Sequence, residues 1–211
     1  DNPEEIANKY IDPEKEINSI EEALNEAMYI VIEKISVTPE FRYYTRKQGL
    51  NKGFFKIKGK DLEENSEFKM YEEYEEKVNS IKPHRILAIN RGEKKKKLSV
   101  KIEFPEEDII NKISSELINS TNKNNYLEKS ITESFKKYIK PSIEREIRNI
   151  LTEEAEEQAI KVFSENLRKL IMQKPLRGKI IMGIDPGIRT GSKIVIIDLK
   201  GDLITYDLFY Q

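Results

Sequence analysis

The 211-residue chain reads as mainly α: a multi-helix array followed by an incomplete antiparallel β-meander, α+β overall. Three observations predict this. Apolar residues recur at three- and four-residue spacing through most of the first 174 positions, the mark of amphipathic helices. Prolines, acids and hydroxyl residues stand where those helices would begin. From Ile180 onward the pattern changes to three short apolar runs, separated by Pro186-Gly187 and by Lys200-Gly201-Asp202, as strands joined by turns would read. Residues 1–174 therefore form the expected helical region and residues 175–211 the expected first strands of a sheet.

In order, Asp12-Pro13 reads as an N-cap and first helical residue, and Ser19 with Glu22 as a capping box. Ile20, Ala23, Leu24, Ala27, Met28, Val31 and Ile35 then define one apolar face. Thr38-Pro39 opens a helix expected to stop near Gly49. Residues 50–65 carry Gly53, Gly59 and Asn65 among charges and read as a loop with a short strand at Phe54 to Ile57. Phe68, Tyr71, Tyr74, Val78 and Ile81 return to helical spacing. After Pro83, Ile86, Leu87 and Ile89 suit a short helix, whereas Leu98, Val100, Ile102 and Phe104 alternate with polar residues as a half-buried strand does. Pro105 with Glu106, Glu107 and Asp108 starts a helix whose acids suit the macrodipole. Its inner face is Ile109, Ile110, Ile113, Leu117 and Ile118. Asn119 to Asn125 is a polar loop, and Leu127, Ile131, Phe135, Tyr138 and Ile139 supply another face before a break at Pro141. From Ser142 to Met172 one apolar stripe spans about 45 Å if continuous, unless Thr152 caps a second helix after a bend.

The 37 basic and 38 acidic residues leave a formal charge of −1, so the chain as a whole has no attraction for nucleic acid. Any such binding comes from a local patch. Arg91 with Lys94, Lys95, Lys96 and Lys97, expected in a turn between helix and strand, is the foremost candidate for phosphate contact; a solvated loop is the alternative. Glu144, Arg145, Glu146 and Arg148 cluster, but Glu144 and Arg148 stand i,i+4 and read as part of a salt-bridge network rather than an active site. The absence of cysteine and the single His84 exclude disulfides and thiolate metal sites and make a histidine zinc site implausible, so no metal site and no cofactor are expected. No charged-then-apolar leader and no long apolar run occurs, so neither export nor membrane insertion is expected and the cytoplasm is the expected location.

Chemistry concentrates after Ile180. The apolar run there reads as a buried strand expected to deliver Asp185 to a turn, as in two large groups. In ribonuclease H-like nucleases a first-strand Asp is one of several acids that hold metal ions against a phosphate. In actin-like ATPases an Asp-x-Gly turn approaches nucleotide phosphates through backbone N–H groups. Asp185, Gly187, Arg189, Thr190 and Gly191 make up the turn motif, and Asp185 is the candidate catalytic residue. A plain turn is the alternative, with Gly187 and Gly191 supplying positive φ.

LRGKIIMGIDPGIRTGSKIVIID within Pro175 to Asp198 resembles the start of the YqgF-type, ribonuclease H-like domain of the Tex transcription accessory family. The resemblance extends through SIEREIRNILTEEAEEQAIKVFSENLRKLIMQ at Ser142 to Gln173, PHRILAINRGEKKKKLSVKI at Pro83 to Ile102 and INSIEEALNEAMYIVIEKIS at Ile17 to Ser36. It implies a helical core around that domain, association with the transcription machinery, and nucleic-acid binding owed chiefly to helix-hairpin-helix and OB-fold modules outside these residues. The chain accordingly reads as a fragment, its sheet expected to self-associate or be covered by the Ser142 to Met172 helix.

Three function classes compete: a nucleic-acid-associated scaffold in transcription, a metal-dependent nuclease or resolvase using Asp185, and an actin-like phosphotransferase. Two-metal hydrolysis needs several acids converging from distant elements. The spacing of Asp198, Asp202 and Asp207 gives no reason for them to meet Asp185. A long helical segment has no place in a compact ATPase lobe, so the non-catalytic scaffold is the expected reading.

Overall fold

The computed structural model describes residues 3–118, 124–174, 176–187 and 189–210. The chain forms two compact units, residues 1–161 and 162–211. The fold is mainly helical with two three-stranded antiparallel sheets.

The first unit begins with α1 (Pro3–Ala7) and a 3₁₀ turn at Pro13–Lys15, where Asp12 accepts a hydrogen bond from the Glu14 N–H. Helix α2 (Ile20–Val37) starts as expected at Ser19, whose hydroxyl accepts from the Glu22 N–H. Glu22 reaches back to the Asn18 N–H rather than to that of Ser19, so the box is displaced by one residue. Helix α3 (Pro39–Lys52) runs one turn past Gly49, because Gly49 faces inward. A Cβ there would press on the Phe104 ring and stand 2.7 Å from Ile147 Cδ1.

Strands β1 (Phe54–Gly59), β2 (Glu73–Lys77) and β3 (Leu98–Glu103) pair in the order β2-β1-β3. The register sets Phe55 opposite Ile102 and Ile57 opposite Val100, placing both apolar rows on one buried face. The helix expected over Phe68 to Ile81 is not formed. A 3₁₀ turn at Lys69–Tyr71 buries Phe68 and Tyr71, and β2 follows as an edge strand with Tyr74 opposite Ile57. Pairing with β1 overrides the helical spacing, and the alternating glutamates of β2 keep its outer side charged. Helix α4 (Pro83–Lys94) precedes β3, and α5 (Glu106–Leu117) follows it. Of the expected loop Asn119 to Asn125, residues 119–123 lie outside the described residues; the Asn124 side chain accepts from the Leu127 N–H to cap α6 (Asn125–Glu133).

Pro141 does not end that helical run. A π-turn at Ser134–Ile139 leads straight into α7 (Lys140–Ile171), with the Lys140 N–H bonded to the Phe135 carbonyl. The widened turn accommodates a residue that lacks an N–H and whose ring opposes the carbonyl four residues back. It also serves the core: Ile131, Phe135, Ile139, Ile143 and Ile147 repeat every four residues, a spacing that drifts about 40° per step on a 3.6-residue helix. With the π-turn between them all five are fully buried, against Ile109 and Ile113 of α5, Ile86 and Ile89 of α4 and the inner face of the β2-β1-β3 sheet.

Helix α7 is continuous through Thr152, whose hydroxyl donates to the Arg148 carbonyl instead of capping a new helix. Its stripe is not uniformly buried. Ile143, Ile147 and Ala155 are enclosed, whereas Ile160, Val162, Phe163, Leu167, Leu170 and Ile171 are exposed.

In the second unit, β4 (Ile181–Asp185), β5 (Ser192–Ile197) and β6 (Leu203–Phe209) form the expected meander in the order β4-β5-β6. A bulge interrupts the β5–β6 register at Ile196/Ile197, and Gly201 takes φ +97° in the connecting turn. All seven residues of β6 are exposed. Among the described residues no helix is long and apolar enough to cross a membrane.

Candidate nucleic-acid interface

The basic candidates straddle the end of α4. Arg91 and Lys94 lie in its last turn rather than in a loop, while Lys95, Lys96 and Lys97 make the tight reversal into β3. Gly92 is buried against Leu98 and Phe68, which holds the reversal close to the sheet. Lys96 takes φ +59°, and the Lys97 N–H bonds back to the Gly92 carbonyl.

The five cations are not equivalent. Arg91 Nη2 and Lys95 Nζ converge on the two oxygens of Glu67, at 2.5 and 2.7 Å. Both also lie over the ring of buried Phe68, 5.6 and 5.5 Å from its centre, within cation–π range. The hydrogen bond from Lys95 chiefly holds the Glu67 carboxyl below the usual carboxylate range; desolvation opposes the shift, and the positive charge of Arg91 adds to it. Lys94, Lys96 and Lys97 are exposed and form no ion pair with another described residue. Lys95 and Lys97 share a depression of about 530 Å³ with Glu63, Asn65, Ser66, Glu67 and Phe68 of the β1–β2 connection. Sequence reasoning found the cations but missed Glu67 and Phe68, which come from a separate element.

On the opposite side of α4, Asn90 and Glu93 meet α7. Arg148 grips Glu93 with both terminal nitrogens, and Asn90 Nδ2 donates to the Thr152 hydroxyl at 2.8 Å. Glu144 is not paired with Arg148 as its spacing suggested; its Oε1 accepts from the Ile102 N–H of β3 at 2.7 Å. Glu146 instead takes Arg46 of α3 in a two-pronged pair at 2.7 and 3.1 Å. The cluster ties helices to one another and to the sheet, as a network does, through partners distant in sequence.

The Asp185 turn has a different character. Asp185 ends β4 exposed, with Lys193 across the ladder. Gly191 takes φ +80° and is buried, a Cβ there falling 3.0 Å from the Tyr210 ring. Gly187 does not take the positive φ that the plain-turn alternative gives it; a Cβ there would stand 2.5 Å from the Gly191 carbonyl oxygen. Arg189 and Thr190 are exposed at the tip. Asp207 pairs with Ile194 in the register, and Ile194 with Ile184, so Asp207 lies on the face opposite that of Asp185. Asp198 spends one oxygen on the Lys200 and Asp202 N–H groups, both at 2.8 Å, which lowers its pKa. Among the described residues no group of three or more acids, histidines or cysteines is placed to hold a metal ion.

The family model described as Tex central region-like matches residues 1–163. The chain belongs to the Tex family. It is 43% identical over 209 residues to YdcI of Bacillus subtilis (strain 168), a match covering 97% of this chain and 29% of that protein. The human S1 RNA-binding domain-containing protein 1 is 34% identical over 163 residues, which is 74% of this chain and 16% of the relative. The transcriptional accessory protein Tex of Neisseria gonorrhoeae is 27% identical over 161 residues, 73% of this chain and 21% of the relative. The chain thus spans less than a third of the length of the curated relatives it matches.

Proposed function

We propose that this chain is a non-catalytic, nucleic-acid-associated scaffold within a Tex-like transcription accessory protein of the cytoplasm. Residues 1–174 serve as its helical region and residues 175–211 as the opening strands of a YqgF-type ribonuclease H-like domain. The whole protein associates with the transcription machinery and binds RNA or DNA without sequence preference, mainly through modules outside these residues. The match over residues 1–163 carries this reading, since it joins the chain to proteins named for transcription and for S1 RNA binding. The isolation of Asp185 from Asp198 and Asp207 supports a non-catalytic role, because metal-assisted phosphate cleavage needs converging oxygens.

Within the chain, Lys94, Lys96 and Lys97, with Arg91 and Lys95 behind them, are the nucleic-acid contact. Phosphate contacts of this kind are salt-sensitive and blind to sequence. Titrating labelled single-stranded RNA into the 211-residue chain tests the reading. Weak binding at low salt that vanishes by about 200 mM is expected, and tight binding that survives about 200 mM salt contradicts it.

A further inference from the structure

Arg91 and Lys95 stand one turn apart at the end of α4 and bring two donors onto a single carboxylate. Phe68 lies beneath both cations, buried and fixed, and limits where they can swing. Two convergent cations on a rigid aromatic floor have the makings of a seat for a tetrahedral anion, since an arginine fork and a lysine point charge both favour phosphate oxygens. The seat is occupied by the chain's own Glu67, and Glu63 from the same connection lines the depression that Lys95 and Lys97 share.

We infer that the acidic β1–β2 connection masks a phosphate seat formed by Arg91 and Lys95, with the Glu67 carboxylate standing where a backbone phosphate of a nucleic-acid strand binds. The inference rests on the proposed nucleic-acid role of the lysine reversal and deepens it. Lys94, Lys96 and Lys97 make the first, weak contacts, and full engagement requires the strand to displace Glu67. Both Glu67 and its partners are partly exposed, so exchange of one anion for another costs little reorganisation.

The test compares the chain with Glu67→Gln, which keeps size and removes the charge, and with Glu67→Gln/Lys95→Gln. Labelled single-stranded RNA and inorganic polyphosphate are the probes, titrated across a salt series. Glu67→Gln is expected to bind both probes about five- to tenfold more tightly at low salt. Its log affinity for RNA should fall more steeply with log salt by roughly 0.7 for each cation released. Glu67→Gln/Lys95→Gln should lose most of the gain. A gain with polyphosphate but not RNA upholds the masked seat and removes the nucleic-acid reading. No gain with either probe overturns the inference. An unchanged melting temperature for Glu67→Gln separates unmasking from unfolding.

Discussion

Arg91, Lys94, Lys95, Lys96 and Lys97 stand out in the sequence as a run of charge, yet Arg91 and Lys95 are taken up by Glu67, 24 and 28 positions before them. Nothing local signals that partnership, because it is created by the reversal after α4 folding back over the β1–β2 connection. The same holds for Glu144 and Arg148, whose i,i+4 spacing permits a pair that the structure does not use once Ile102 and Glu93 supply better-placed partners. Glycines are read with similar difficulty. Gly49 looked like a helix stop, but it is where α3 meets Phe104 and Ile147. Replacing it with alanine overpacks that contact, and a loss of about 1–3 kcal/mol in denaturant-measured stability is expected. A neutral result would mean that α3 does not approach α7 as closely as the geometry requires.

Whole elements were more legible where local pattern and tertiary need agree. Helices α2, α4 and α5, strand β3 and the β4-β5-β6 meander fall close to where spacing, proline and acids put them. Strand β2 was hidden because its alternating inward residues, Tyr74 and Glu76, overlap a helical spacing set by Phe68, Tyr71 and Val78, and only pairing with β1 decides between the two. The run through Pro141 was hidden because proline ordinarily ends a helix, and the π-turn that admits it leaves no mark in composition. Along α7 the apolar stripe predicts the helix but not its changing burial. Packing rather than propensity holds most helices, so amide hydrogen exchange should be slow around Ile143 to Ala155 and markedly faster from Val162 to Ile171. Uniform protection along α7 in the isolated chain would contradict this.

At the scale of the molecule, the family was legible from four separate segments, and the match over residues 1–163 agrees with it. Composition told little, because near-equal numbers of acids and bases conceal a local basic reversal. Apolar side chains remain exposed in the second unit, among them Phe163, Leu170 and Ile171 on α7 and Ile184, Ile204 and Phe209 on the strands. Among the described residues β4 and β6 each pair on one side only. Apolar surface and open edges together favour association. Light scattering should therefore give a mass that rises above the monomer with concentration and is not reduced by salt; a strict monomer throughout would count against it.

The proposed scaffold role requires that Asp185 does not assemble a metal-dependent catalyst, which needs several converging oxygens. Incubation of labelled single-stranded RNA and DNA with the chain in Mg²⁺ or Mn²⁺, beside Asp185→Asn, decides between the scaffold and a nuclease. Strands left intact by both proteins are the expected result, and divalent-dependent cleavage by the unaltered chain that Asp185→Asn abolishes would contradict it.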